Sequence, residues 1–337
     1  MRIALLGAGR IGHLHARLLI GTPGVVGVIV ADADGWRAAA LAAEVGARAA
    51  SSIEAALRSA DAVVIAATTS AHAGLIRAAI ECRLPTFCEK PLADDLTTSL
   101  GLATEIERSG VPFQLGFQRR FDPGYREARR LVASGALGTV YAVRLAGHDP
   151  QPPPETYIPG SGGLFRDFSI HDFDILRWLT GSEVAEVYAD GAVRGFPVFA
   201  KYGDVDTAVA TLRMVDGTLA VLTVARHDPL GYDVRAELFG SLDSISVGLS
   251  PRTPMRSVEP SVAAPAGPAW TDFVARFEPA YAAELGEFVR VARSEVTSPC
   301  TARDGVAALR IAEAATLSLR EHRPVRLEEI SGLAPTD

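Results

Sequence analysis

The chain has 337 residues, 48% hydrophobic and 22% charged, with a formal net charge of −7; that is an ordinary globular composition, too long for one core, so two domains are expected. The acidic balance, relieved only by the short basic pairs Arg119-Arg120 and Arg129-Arg130, excludes a phosphate-backbone footprint and with it a nucleic-acid partner. No apolar run reaches the ~20 residues of a bilayer span, Met1-Arg2 leads into Ile3-Ala4-Leu5-Leu6 without a signal-peptide pattern, and Cys82, Cys88 and Cys300 show no paired spacing, so a reducing cytoplasm is expected, with neither a disulfide framework nor a cysteine zinc site.

Along the first 120 residues, short apolar runs alternate with helical segments. Strands are predicted over 2–6, 25–31, 62–67, 85–88 and 112–117. Helices are predicted over 10–19, 36–45, 71–80 and 94–109, the last capped near residues 93–95. Continuously apolar strands separated by helices indicate a parallel sheet covered on both faces. The pattern changes after Phe121. A helix over 123–133 ends at Ser134-Gly135, and strands follow over 140–145, 183–190, 207–214, 218–225 and 233–239. Asp216-Gly217 between two of them is a hairpin signal. These features predict an α+β second domain. Residues 151–154 and 251–268 read as loops, and 280–293 and 303–320 as late amphipathic helices.

Three stretches carry chemistry. Gly7-Ala8-Gly9-Arg10-Ile11-Gly12 is a G-x-G-x-x-G turn, directly after a strand and opening a helix. Its glycines allow a tight turn and close backbone approach to a dinucleotide pyrophosphate at the helix N-terminus. Asp32 ends the second strand, 20 residues past Gly12. Its carboxylate suits a ribose diol and repels a 2′-phosphate, which favours NAD over NADP, with Arg37 close by in sequence. Cys88-Glu89-Lys90-Pro91-Leu92 ends a strand of the parallel half; Lys90 either points into the same crevice, with a cis Lys-Pro bond aiming it, or is a surface lysine before a turn.

The third stretch runs from Gly162-Gly163 through Leu164-Phe165-Arg166-Asp167-Phe168-Ser169-Ile170-His171-Asp172-Phe173-Asp174 to Leu179, with Gly181 as a C-cap. Spacings of i, i+4 and i+7 put Asp167, His171 and Asp174 in one polar stripe on an otherwise apolar, buried helix. Such a stripe serves as a proton-transfer pair, His171 working near its own pKa and Asp167 tuning it. Alternatively the pair satisfies itself, or His171 with Asp172 or Asp174 ligates a metal, which one histidine without a thiolate argues against; no metal is expected. His72 caps a strand end or touches the cofactor.

Taken together, G-A-G-R-I-G at 7–12, A-A-T-T-S-A-H at 66–72, C-E-K-P-L at 88–92 and G-G-L-F-R-D-F-S-I-H-D-F-D at 162–174 resemble the Gfo/Idh/MocA family of NAD(P)-dependent oxidoreductases, from Met1 to about Leu327. Within it, G-F-Q-R-R-F-D at 116–122, D-P-Q-P-P-P-E-T-Y-I at 149–158, G-Y-D-V-R-A-E-L-F-G at 231–240 and F-E-P-A-Y-A-A-E-L at 277–285 are most similar to inositol 2-dehydrogenases. The resemblance implies an N-terminal Rossmann domain, a doubly wound parallel sheet, over 1–121. It implies an α+β domain with a large open-faced, mostly antiparallel sheet over 122–330, the helix at 303–320 packing back on the first domain. It implies Lys90, Asp167 and His171 as the catalytic trio. NAD would be held by Gly7, Gly9, Arg10, Ile11, Gly12, Asp32, Thr68, His72, Glu89 and Lys90, and Arg120, His148, Tyr232 and Tyr281 would stand near the substrate. One departure is that many relatives carry Arg-Asp-Pro where this chain has His148-Asp149-Pro150, which bears on the substrate and leaves the trio intact. The activity expected is NAD-dependent oxidation of a cyclic polyol or sugar alcohol to the ketone, myo-inositol first, by a cytoplasmic homo-oligomer (dimer or tetramer). The alternatives are another inositol isomer or an aldose, an NAD-requiring glycosidase, or a non-catalytic dinucleotide sensor, the last opposed by the three retained site residues.

Overall fold

In the computed structural model, residues 1–263 and 267–330 are described; residues 264–266 of the expected 251–268 loop lie outside them. The chain forms two compact units. Among the described residues, the first comprises Met1–Phe121 with Pro279–Ala307, and the second comprises Asp122–Glu278 with residues 308–330. The first unit therefore takes in residues 279–307, beyond the boundary expected from the sequence.

The first unit is built on β1 (Arg2–Leu6), α1 (Arg10–Gly21), β2 (Gly27–Ala31), α2 (Gly35–Val45), β3 (Arg48–Ala49), α3 (Ile53–Arg58), β4 (Ala62–Ile65), α4 (Thr69–Glu81), β5 (Thr86–Glu89), α5 (Leu96–Ser109) and β6 (Phe113–Gly116). All pairings are parallel, in the order β3-β2-β1-β4-β5-β6. This is the doubly wound order with its switch point beside β1. The apolar runs became strands because both sheet faces are covered: Ile3, Leu5, Val28, Val30, Val64 and Phe87 are buried in one core. Leu285 and Phe288 join that core from far along the chain, Phe288 lying 5.7 Å from Phe87 between ring centroids. Helix ends follow local chemistry. Asp34 and Asp95 accept backbone N–H bonds at the starts of α2 and α5, and Gly46 and Gly110 close them in the left-handed region. The sequence reading missed β3 and α3, which are short and carry little periodicity.

The second unit contains α6 (Pro123–Ala133), β7 (Val140–His148), α7 (Ile158–Ser161), α8 (Ile170–Thr180), β8 (Val184–Ala192), α9 (Val198–Lys201), β9 (Thr207–Met214), β10 (Leu219–Ala225), β11 (Asp233–Gly240), β12 (Ser244–Val247) and, after α10 (Phe273–Ala292) and α11 (Ala302–Glu321), β13 (Val325–Arg326). Both α10 and α11 run from one unit's residues into the other's. The sheet order is β12-β11-β7-β10-β9-β8-β13. Its pairings are antiparallel except β7 with β10. The Asp216-Gly217 turn joins β9 to β10, with Gly217 at φ +91°. Val143, Leu145, Ala210, Leu222 and Leu238 are buried on one face, and Arg144, Val209, Arg213, Leu219 and Thr223 alternate onto the other, more open one. That alternation is what a sheet with one covered face requires.

Candidate active site

The first unit supplies a nucleotide turn. Gly7 sits at φ +112°, and a Cβ there would lie 2.5 Å from the Ala66 carbonyl oxygen; at Gly12 it would lie 2.1 Å from the Gly7 carbonyl oxygen. Neither position accepts a side chain. Gly9 differs, since a Cβ there meets nothing within 4 Å. It is the N-cap of α1, whose first turn has no capping side chain and no acidic residue. Open space over an uncapped helix N-terminus fits a pyrophosphate. Asp32 stands beside this turn, one oxygen accepting from Ala8 N at 2.7 Å and the other from Asp34 N at 2.9 Å. Each carboxylate oxygen has a further lone pair for a ribose hydroxyl. Ile11 packs against the core, and Arg10 opens α1. These residues fit NAD, with the Gly7–Gly12 backbone for its pyrophosphate and Asp32 for its adenosine ribose.

Beyond β4 and β5 lie the other cofactor candidates. Thr68 is the N-cap of α4, with its hydroxyl 3.4 Å from Ser70 Oγ. His72 is buried, Nδ1 lying 2.8 Å from the Pro91 carbonyl oxygen and Nε2 3.2 Å from that of Ala67. Burial pushes its pKa below the ordinary value despite both carbonyls and the nearby Glu89 and Asp94. Its ring thus lies between the end of β4 and the Lys90–Pro91 turn, whose peptide bond is cis, and as a neutral imidazole it donates to one of the two carbonyls. Glu89 closes β5 in a 2.6 Å pair with Nε2 of the fully buried His15. His15 went unnoticed in the sequence because nothing in its spacing links it to residue 89. Lys90 is half-buried at the strand end. Arg120 is buried and engaged, donating to the Pro299 carbonyl oxygen at 2.8 Å and pairing with Asp304 at 2.9 Å. Tyr281 is buried edge-on against His15.

The second unit gathers polar groups at one sheet edge. Because β7 and β10 are parallel, their last residues, His148 and Ala225, are register partners. Asp149 and Arg226 then follow side by side, held by Asp149 N to the Ala225 carbonyl oxygen at 2.9 Å and Arg226 N to the Asp206 carbonyl oxygen at 2.8 Å. Asp233 opens β11 opposite His148. The His148, Asp228 and Asp233 donor atoms lie within 4.8 Å of one another, a set able to hold a metal ion. Asp233 is already met by Arg235 Nε at 2.8 Å, a counter-charge within the chain. Tyr232 is buried edge-on to Phe277.

Onto this edge comes the Asp167/His171 segment. After Gly162 and Gly163, both at positive φ, Phe165–Ser169 forms a π turn that leads into α8. A regular helix was expected there; π turns of this kind recur at functional sites. The turn lies close on β7, since a Cβ at Gly147 would be 2.4 Å from Phe168 Cε1. Along the expected stripe, Asp174 is enclosed, as is Asp172 beside it, whereas Asp167 and His171 remain partly accessible. Asp167 accepts from Tyr157 Oη at 2.7 Å and pairs with Arg226 Nη1 at 2.8 Å. The same Nη1 lies 3.6 Å from Asp149. Burial alone would lower the pKa of Arg226, but Asp167, Asp149 and Asp204 outweigh it and hold it above its ordinary value. Neither Tyr157 nor Arg226 was singled out as a site residue; the strand pairing that delivers Arg226 links residues far apart in sequence.

Of the candidates, the first unit carries Gly7–Gly12, Asp32, Thr68, His72, Glu89, Lys90, Arg120 and Tyr281, and the second carries His148, Asp167, His171 and Tyr232. The first unit thus carries a dinucleotide turn, and the second carries His171 four residues after the charge-compensated Asp167.

Residues 1–117 match the family model described as an oxidoreductase family with an NAD-binding Rossmann fold, and residues 125–246 match the GFO/IDH/MocA C-terminal domain. The chain is 42% identical to myo-inositol dehydrogenase Hyg17 of Streptomyces leeuwenhoekii, over 94% of this chain and 97% of that protein. It is 35% identical to scyllo-inositol 2-dehydrogenase (NAD(+)) of Bacillus subtilis, over 97% and 96%. Its fold is similar to that of the scyllo-inositol dehydrogenase from Lactobacillus casei crystallised with NAD(H) and scyllo-inositol, with a TM-score of 0.88 and 27% identity over 97% of this chain and 99% of that one. With both halves matched and the nucleotide turn formed, the chain belongs to the GFO/IDH/MocA family of oxidoreductases and carries its NAD-binding Rossmann domain.

Proposed function

We propose that the protein oxidises a secondary hydroxyl of inositol to the ketone with NAD as the oxidant, myo-inositol to 2-keto-myo-inositol being the preferred reaction. The observation that carries the substrate is likeness over nearly the whole of both chains to a myo-inositol dehydrogenase. NAD, when bound, supplies a hydride acceptor for the carbinol hydrogen. His171 accepts the hydroxyl proton, so the carbon loses a hydride and the oxygen a proton, and the product is the ketone. Asp167 fixes the charge around His171, and Lys90 donates to the reacting oxygen as it gains alkoxide character. His148, Tyr232, Arg120 and Tyr281 form the substrate's surroundings, the last two through the elements they brace. The retained His171 and Asp167, with Lys90 at the end of β5, support catalysis over dinucleotide sensing alone. The enzyme works in the cytoplasm as a homo-oligomer.

The test is the absorbance of NADH with purified protein, NAD, and a panel of inositol isomers and aldoses. Myo-inositol should give the highest kcat/KM, and His171→Ala should cut kcat by about 10²–10⁴-fold with NAD binding intact. No signal from any inositol, alongside turnover of an aldose, would overturn the substrate. Wild-type turnover by His171→Ala would overturn the mechanism.

A further inference from the structure

We propose that Arg226 is a positioning residue for this reaction: it supplies the fixed counter-charge that holds the Asp167 carboxylate where it can act on His171. The inference rests on the roles proposed above for Asp167 and His171.

The side chain of Arg226 is 3% exposed, and a buried cation is costly unless neighbouring charges compensate it. Here the neighbours are carboxylates from different elements, Asp167 from the π turn at 2.8 Å and Asp149 from the end of β7 at 3.6 Å. Both are reached through Nη1, and Nε has no acceptor among the described residues. Nη1 is therefore shared between the two carboxylates. With Tyr157 Oη on the opposite oxygen of Asp167, that carboxylate is pinned from two sides, by a neutral donor and by a cation.

The backbone under Arg226 is equally fixed. Its N–H is bonded to the Asp206 carbonyl oxygen, and the Asp206 carboxylate accepts the N–H groups of Arg194, Gly195 and Phe196 at 2.7–2.8 Å. Those three bonds and the Thr207 hydroxyl outweigh burial and hold Asp206 below the usual carboxylate range. A rigid strand end thus carries the cation to the start of the segment that bears His171. A buried ion pair adds little stability compared with apolar packing of the same volume. Its value here is the placement of a carboxylate four residues before the proposed base. Removing the cation would take from Asp149 and Asp167 a counter-charge they share, and would loosen the hold on the Asp167 carboxylate.

The experiment is a double-mutant cycle on purified full-length enzyme, reading kcat with myo-inositol and the dissociation constant for NAD. Arg226→Gln should lower kcat by about 10–100-fold, the usual loss when a supporting partner is removed, with NAD affinity within about twofold of wild type because the nucleotide turn lies in the other unit. Arg226→Lys keeps the charge and should recover at least about tenfold of that loss. In Asp167→Asn/Arg226→Gln, kcat should equal that of Asp167→Asn alone, since Arg226 acts through Asp167. Should Arg226→Gln fail to fold, the double variant against Asp167→Asn carries the test, the pair having been removed together. Wild-type kcat in Arg226→Gln, or a double variant far below Asp167→Asn, overturns the proposal. If Asp167→Asn itself turns over normally, the failure lies in the role given to Asp167 and not in the place of Arg226.

Discussion

His72 shows how one residue carries both structure and a pH dependence. Its ring spans the carbonyl oxygens of Ala67 and Pro91, and burial lowers its pKa. The unfolded chain, with an ordinary value near 6.5, therefore binds this proton at a higher pH than the folded one. Stability is intact above that value and falls as pH drops below it toward the depressed folded pKa. The melting temperature of the wild type should fall on acidification, and less steeply in His72→Asn, whose amide can still donate to the Pro91 carbonyl. Parallel slopes would show that His72 remains neutral for another reason or not at all. The sequence left His72 open between capping and cofactor contact, because it shows a histidine after Thr68-Thr69-Ser70 but not which carbonyls its ring will meet.

Among the elements, those with strong local signals were legible. β1 and α6 match the predicted spans, and the Asp216-Gly217 hairpin forms where a turn pair between alternating strands demands it. What stayed hidden was non-local. A π turn stands where regular helix was expected, and within it Phe168 lies so close to β7 that a Cβ at Gly147 would be 2.4 Å from its ring. Likewise Arg226 falls just beyond the strand predicted over 218–225, and its meeting with Asp149 depends on β7 and β10 lying parallel, which no periodicity reveals. The Gly147 contact is open to test. Gly147→Ala places a methyl 2.4 Å from Phe168 Cε1, and overpacking of this kind costs about 1–3 kcal/mol. The melting temperature should drop by a few degrees, about 2–4 °C per kcal/mol in a domain of this size. kcat should fall with it, as Phe168 adjoins Asp167, while NAD binding holds. Unchanged melting and turnover would mean that Phe168 swings aside freely.

At the scale of the whole molecule, the second sheet has an open face bearing apolar groups. Tyr188 is 39% exposed, Val209 46% and Leu219 49%. They lie on neighbouring strands β8, β9 and β10 with Thr211 between Tyr188 and Val221 in register. Apolar side chains exposed on one sheet face are where the homo-oligomer proposed above would bury surface, a second copy in closed symmetry being the simplest occupant. Light scattering should give a dimer or tetramer, and Val209→Glu with Leu219→Glu should reduce it to monomer while NAD binding persists. A wild-type monomer at micromolar concentration would rule this assembly out. The discontinuity of the first unit has a different consequence, one of timing. Its core is closed by Leu285 and Phe288, so a nascent chain that has already made all six parallel strands still leaves the flank of Phe87 uncovered. During synthesis the nucleotide-binding half must wait for α10, and every strand of the second sheet except β13 emerges before the first can finish folding.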